Sequence, residues 1–310
     1  MRVLLTGVAG LVGSHLAEHL LDRGDEVVGF DNFVSGSRRN IAALEGRDGF
    51  GFYEGDVADP WPDLGTFDTV LHLASPASPV DFSRIPVEIL RTGSLGTFHA
   101  LELAAAQGAR CLVASTSEVY GEPQVHPQHE SYFGNVNPVG PRSCYDEAKR
   151  FTEAATMAYR RSRGADTVII RIFNTYGPRM RPDDGRVVST FVTQALAGEP
   201  ISIFGVGSQT RSFCYVDDLV RGIVAAAESD IEGPVNLGNP AEFTVRELAE
   251  MVLELTGADV PIEMHPLPQD DPTRRRPDIT LAQTELGWEP TVALRDGLER
   301  TVEYFRSLQG

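Results

Sequence analysis

A chain of 310 residues with 42% hydrophobic and 23% charged residues carries enough apolar material for one large soluble domain or two closely joined ones. Its net charge of −17 sets it against nucleic acid and anionic membrane surfaces, which would be repelled over most of the molecule. No apolar run approaches the roughly 20 residues that span a bilayer, and the opening "MRVLLTGVAG" turns glycine-rich before a signal-peptide core could form. Three widely spaced cysteines, Cys111, Cys144 and Cys214, fit neither a disulfide framework nor a zinc cluster. A cytoplasmic protein with reduced thiols is expected.

Taken in chain order, "RVLLTG" reads as a first strand, followed by a helix with Val12, Leu16 and Leu20 on one apolar stripe. Strands are then predicted at "EVVGF", near "FGFYEG", at "TVLHLA" and at "RCLVAS", with one long helix over about Val87 to Gln107 joining the last two. The proline-rich stretch "EPQVHPQHESYFGNVNPVGPRS" reads as loop, and a second long helix is predicted from Cys144 to Arg163 with Ser143 as its cap. "DTVIIRIF" is the sixth strand. Beyond Asn174 the pattern breaks into short pieces, with a capping box at Thr244 to Glu247 opening a helix through Leu255. The expectation is an α/β fold, a Rossmann-type doubly wound parallel sheet with a smaller interleaved C-terminal substrate lobe. Residues 1–172 would form the dinucleotide-binding domain, and 173–310 mainly the substrate lobe, with segments returning to the first.

In "TGVAGLVG" the glycines Gly7, Gly10 and Gly13 lie between a strand and its helix, where they allow a tight turn, a close approach of backbone to a pyrophosphate, and close packing of helix on strand. Asp31, at the end of the second strand, is placed to accept from both ribose hydroxyls and to repel a 2′-phosphate, which favours NAD over NADP. Nearby Arg38 and Arg39 could offset that preference. Asp56, ending the third strand, is either a partner for the adenine amino group or a loop cap.

"SCYDEAKR" sets Tyr145 and Lys149 four residues apart, on one face of a helix. Lys149 is the only lysine in the chain. A phenol with a reference pKa of about 10 becomes a base near neutrality when an ammonium and a cationic nicotinamide stabilise its phenolate. Thr116, in "STSEVYG" at the end of the fifth strand, can share the proton of a reacting alcohol across the crevice. "HPQHE", His126 to Glu130, has the letters of a metal motif, but Pro127 makes it irregular and no metal is expected.

Gly7, Gly10, Gly13, Asp31, Thr116, Tyr145 and Lys149 together resemble the extended short-chain dehydrogenase/reductase family, whose members act on nucleotide sugars. The blocks "HLASPASP", "STSEVYG", "NPVGPRSCYDEAKR", "RIFNTYGPRM", "DDGRVVSTF", "TRSFCYVDDLV", "NLGNP" and "DDPTRRRPDI" resemble the UDP-glucuronate decarboxylases of that family. The resemblance implies oxidation of the sugar at C4 by NAD, loss of the C6 carboxylate as carbon dioxide, protonation at C5 and reduction at C4, giving UDP-xylose. It adds Asn32, Val57 and Leu73 to the cofactor site. It puts Ser117 beside the sugar carboxylate and Glu118 with Arg275 at the decarboxylating end, and it gives Pro76, Asn174, Arg179, Arg211, Tyr215 and Arg275 to the UDP-sugar. Ser117 stands where the related 4,6-dehydratases carry an aspartic acid that protonates a departing hydroxyl, a step that a carboxylate substrate does not need. Many relatives carry asparagine where this chain has Gly93. The family also implies a homodimer paired through the two long helices. A UDP-glucuronate 4-epimerase would share the oxidation step but keep the carboxylate, and a non-catalytic NAD sensor would need only the glycine turn and Asp31.

Overall fold

The computed structural model describes residues 1–267 and 274–309. Its centre is a parallel sheet of seven strands. In chain order they are β1 (Arg2–Thr6), β2 (Glu26–Asp31), β3 (Phe50–Glu54), β4 (Thr69–His72), β5 (Arg110–Thr116), β6 (Thr167–Ile172) and a seventh, Pro234–Leu237. Across the sheet the order runs from the seventh strand through β6, β5, β4, β1 and β2 to β3. The order reverses between β1 and β4, so a crevice opens there above the carboxyl ends of the strands. Gly7, Leu73 and Thr116 fall at that edge because their strands stop there.

The central strands are short continuous apolar runs, as a sheet covered on both faces requires: Val3, Leu4, Leu5, Val70, Leu112, Val113 and Ile170 are fully buried. Helix α1 (Leu11–Asp22) lays Leu16, Ala17 and Leu20 against the sheet. The seventh strand comes from the second half of the chain and pairs with β6 through Pro234 to Ile169 and Leu237 to Ile172. Small sheets outside the main one carry the remaining strands, among them Thr210–Ser212 flanked by Glu242–Thr244 and Arg274–Arg275.

Three local features bear on the expectations. The capping box is present, with the Thr244 hydroxyl accepting from Glu247 N–H and the Glu247 carboxylate from Thr244 N–H, at the start of Val245–Thr256. The second long helix runs over Ser143–Arg163, but Arg142 occupies the cap position and no side chain caps it; Ser143 is already inside. The first long helix is not uniform. It runs as Pro86–Arg91, a π turn at Thr92–Gly96, and Thr97–Gln107. In the π turn the Gly93 carbonyl oxygen takes the hydroxyl of Thr97 at 2.8 Å and lies 2.9 Å from that of Thr152 on the neighbouring helix. A Cβ on Gly93 would lie only 2.7 Å from the Ala148 Cβ, so the missing side chain is what lets the two helices meet.

Candidate active site

A cavity of about 710 Å³ lies along the crevice. At the β1 end its wall is the glycine turn. A Cβ on Gly13 would sit 2.1 Å from the Gly7 carbonyl oxygen, and Gly7 has φ +77°, so neither position accepts a side chain. The Asp31 carboxylate accepts the N–H of Ala9 at 2.9 Å and of Phe33 at 2.8 Å, which locks the end of β2 against the turn. Burial raises the Asp31 carboxyl, and these N–H groups oppose the shift. Asp56 is a loop cap that also meets another cofactor candidate: it accepts from Ala58 N–H at 2.8 Å and from the Asn32 amide at 3.1 Å. Val57 and Leu73 line the same wall. Arg38 is tied to Glu54 and lies over the Phe33 ring, while Arg39 faces the cavity.

In the middle of the cavity Thr116, Tyr145 and Lys149 come together, from the end of β5 and one face of the helix Ser143–Arg163. The Lys149 ammonium donates to the Ala114 carbonyl at 2.8 Å and lies 5.9 Å from the centre of the Tyr145 ring. Burial pushes the Tyr145 phenol up to about 12, with the Thr116 hydroxyl pulling it back, and pushes Lys149 down to about 8. Both groups are thus drawn towards their neutral forms by the same dry surroundings. Phe82 stacks on Tyr145 with centres 5.0 Å apart and holds the ring in place.

At the far end charged side chains converge. Glu118 leaves the short 3-10 turn Ser117–Tyr120, whose start is capped by Thr116: its Oγ1 accepts Glu118 N–H at 3.2 Å. The Glu118 Oε2 accepts from Arg142 at 2.9 Å and from Arg275 at 3.2 Å. Burial alone would raise this carboxyl, but Arg275, Arg142 and Arg211 outweigh it and hold it below the usual range. Arg275 is itself buried, and its Nε and Nη1 are buried without a partner among the described residues, while its Nη2 donates to Glu118. Ser117 and Pro76 line this region, as do Asn174 and Arg211.

Two substrate candidates are engaged by neighbouring side chains, one of them outside the cavity wall. Tyr215 is buried outside the cavity wall, packed on Tyr176 at 5.7 Å and under the Arg300 guanidinium, because it closes a small strand before a helix and points into the core. Arg179 does reach the cavity, but it lies against α1, pairing with Glu18 at 2.5 Å, on the side of the glycine turn. Its backbone has a positive φ of 69°. The first four residues of "DDPTRRRPDI" lie outside the described residues. His126 is paired with Glu242 at 3.0 Å, and among the described residues no group of three or more His, Cys, Asp or Glu gathers as a metal would need.

Sequence reasoning missed three polar groups here. Arg142 stands one helical turn before Tyr145, a spacing that could have suggested it. Arg186, in "DDGRVV", is held by Asp184 at 2.5 and 2.9 Å, and its charge lowers the Tyr145 phenol. Asp146 is buried, with Oδ1 unpartnered among the described residues; burial and then Glu118 push its carboxyl up to about 7.

The comparisons with known proteins agree with this geometry. Residues 4–301 match the family model for GDP-mannose 4,6 dehydratase. The chain is 52% identical over 307 residues to UDP-glucuronic acid decarboxylase 1 of Arabidopsis thaliana, covering 99% of this chain and 70% of that protein. It is 50% identical over 304 residues to UDP-glucuronic acid decarboxylase 1 of Danio rerio, covering 98% and 72%. Among solved structures, UDP-glucuronic acid 4-epimerase from Bacillus cereus, in complex with UDP-glucuronic acid and NAD, superposes with a TM-score of 0.91 at 31% identity, covering 99% of this chain and all of that one. Over nearly its whole length, therefore, the chain belongs to the extended short-chain dehydrogenase/reductase family that the GDP-mannose 4,6 dehydratase model describes, on its UDP-glucuronic acid decarboxylase branch.

Proposed function

We propose that this protein decarboxylates UDP-glucuronate to UDP-xylose, with NAD as its cofactor. The observation that carries the reading is the Glu118 carboxylate bridged by Arg142 and Arg275 in the same cavity as Thr116, Tyr145 and Lys149. The decarboxylases at about half identity support it.

The residues present fit the cofactor. The Gly7, Gly10 and Gly13 turn leaves room for backbone to meet a pyrophosphate at the start of α1, and Asp31, Asn32, Asp56, Val57 and Leu73 line the wall where a nucleoside would lie. Held by these residues, NAD would supply the acceptor, and later the donor, for the hydride at C4 of the sugar. The chain supplies the rest. Tyr145 reacts as its phenolate, which the Lys149 charge favours against burial; its Oη takes the C4 hydroxyl proton with Thr116 Oγ1 sharing it, and becomes the neutral phenol. Oxidation at C4 makes the sugar carboxylate a β-keto acid, which loses carbon dioxide readily; the electron pair is left as an enolate, which takes an exchangeable proton at C5 before C4 is reduced. Arg275 and Arg211 orient that carboxylate, and Ser117 bonds beside it. Glu118, held ionised, repels the carboxylate, and this repulsion is relieved as carbon dioxide leaves.

Turnover in deuterium oxide tests the reading. UDP-xylose should carry one deuterium at C5, drawn from an exchangeable group, and keep its original C4 hydrogen. UDP-galacturonate with its carboxylate intact would instead mark a 4-epimerase, and absence of any turnover would mark a binding module.

The same reading includes a division near residue 172 into a cofactor domain and a sugar-binding lobe, and a cytoplasmic location. It also includes a homodimer formed through the two long helices. Exposed Val87, Leu90, Leu95 and Phe151 on these helices support the pairing. A solution mass of one chain would count against it.

A further inference from the structure

Behind the cavity, Glu118 and Arg275 are joined a second time. Tyr120 ends the same 3-10 turn that carries Glu118, and it is fully buried. Its hydroxyl accepts from Arg171 Nη1 at 2.9 Å and donates to Asn236 Oδ1 at 2.8 Å. Asn236, on the seventh strand, is also fully buried and uses its whole amide. Its Nδ2 donates to the carbonyls of Gln128 and Asp278, each at 3.0 Å, and its backbone N–H donates to the Glu130 carboxylate at 2.9 Å.

Gln128, fully buried in turn, clamps the residue after Arg275. Its N–H donates to the Arg276 carbonyl at 2.9 Å, and its Oε1 accepts the Arg276 N–H at 2.9 Å. Its carbonyl also accepts the Asp278 N–H at 2.8 Å. A continuous path of hydrogen bonds thus runs from the Glu118 turn through Tyr120, Asn236 and Gln128 to the strand Arg274–Arg275. None of these three residues lines the cavity.

A buried amide with every donor and acceptor engaged fixes the relative position of the groups it joins, which an apolar side chain of the same size could not do. Thr116, Tyr145 and Lys149 hang from β5 and the helix Ser143–Arg163; Tyr120 is tied to them through Arg171, which pairs with Glu153 of that helix, whereas the bonds of Asn236 and Gln128 given above reach neither element. We infer that Asn236 and Gln128 are positioning residues that hold Glu118 and Arg275 in register, so that decarboxylation depends on them more than the oxidation before it. The inference rests on the decarboxylase reading given above.

The test separates the two steps in a single turnover. Wild type, Asn236→Ala, Gln128→Ala and Tyr120→Phe, each saturated with NAD, are given UDP-glucuronate. Released carbon dioxide is counted, and borodeuteride places deuterium at C4 of every 4-keto sugar, the trapped uronate being separated from the trapped pentose by its carboxylate charge. A displacement of about 1 Å can cost on the order of 100-fold in rate. The variants should therefore release carbon dioxide roughly 10- to 100-fold more slowly while the trapped, still carboxylated sugar accumulates. Equal losses in both steps, or no loss in either, overturn the inference. Gln128→Ala, which cuts the path at its far end, decides the matter if Asn236→Ala does not fold. Wild type that releases no carbon dioxide would overturn the decarboxylase reading instead, so the two failures are distinct.

Discussion

At the β1 end the cavity wall is backbone, drawn from the contiguous turn Gly7 to Gly13 and closed by one carboxylate, Asp31. At the other end it is side-chain charge, with Glu118, Arg142, Arg211 and Arg275 brought in from segments far apart in the chain. The first end works by leaving atoms out, since any Cβ at Gly13 would collide with Gly7. The second works by crowding charges into a dry space and offsetting one against another. A backbone site of the first kind tolerates almost no change of residue. The charged end can be changed one side chain at a time, and that is where a family can diversify its chemistry.

The contrast can be broken most severely at Glu118. Glu118→Gln keeps the shape and removes the charge, and it should lower kcat by roughly 1000-fold while leaving NAD affinity within about twofold; stopped-flow turnover and calorimetric NAD titration read the two separately. A full-rate Glu118→Gln enzyme would remove the charged end from the chemistry. Gly13→Ala should do the opposite. The displaced turn should cost about 1–3 kcal/mol of stability and most of the NAD affinity, seen as a lowered denaturation midpoint and a weakened titration. Asp31→Ala should narrow the preference for NAD over NADP by about 10-fold, through lost hydrogen bonds and lost repulsion of a 2′-phosphate. Wild type that bound both cofactors equally would refute that role.

The smallest effect concerns Asp146. Its carboxyl is raised by burial, and then by Glu118, to about 7 from an ordinary value of 3.8, so folding favours the protonated form. The stability this gives is complete below about pH 4 and is lost as the pH rises to 7. Asp146→Asn removes the penalty, and its Tm should exceed that of wild type by roughly 2 °C more at pH 8 than at pH 4. A gap independent of pH would show that the charge is relieved elsewhere.

The two ends also differed in how far they could be read from the sequence. Gly7, Gly10, Gly13, Asp31, Tyr145, Lys149 and the Thr244 capping box were legible because their constraints act within a turn, a strand end or one helical face. Arg142 stands one turn before Tyr145, a local sign, but its partner Glu118 is 24 residues away and the sequence does not mark that approach. Tyr215 was given to the substrate by its motif, yet whether a side chain at a strand end faces the cavity or the core is set by tertiary packing. The π turn at Thr92–Gly96 was unreadable for the same reason, since it depends on Thr152 of another helix.

That π turn reaches beyond this one molecule. Where Gly93 crosses Ala148 there is room for one Cβ and no second, so the two positions share a single allowance of volume. A homologue with asparagine at 93 should be the one with glycine at 148, and an ancestor passing between the two states had to lose a side chain before it could gain one. Gly93→Asn made alone should therefore be poorly tolerated, and Ala148→Gly should restore it.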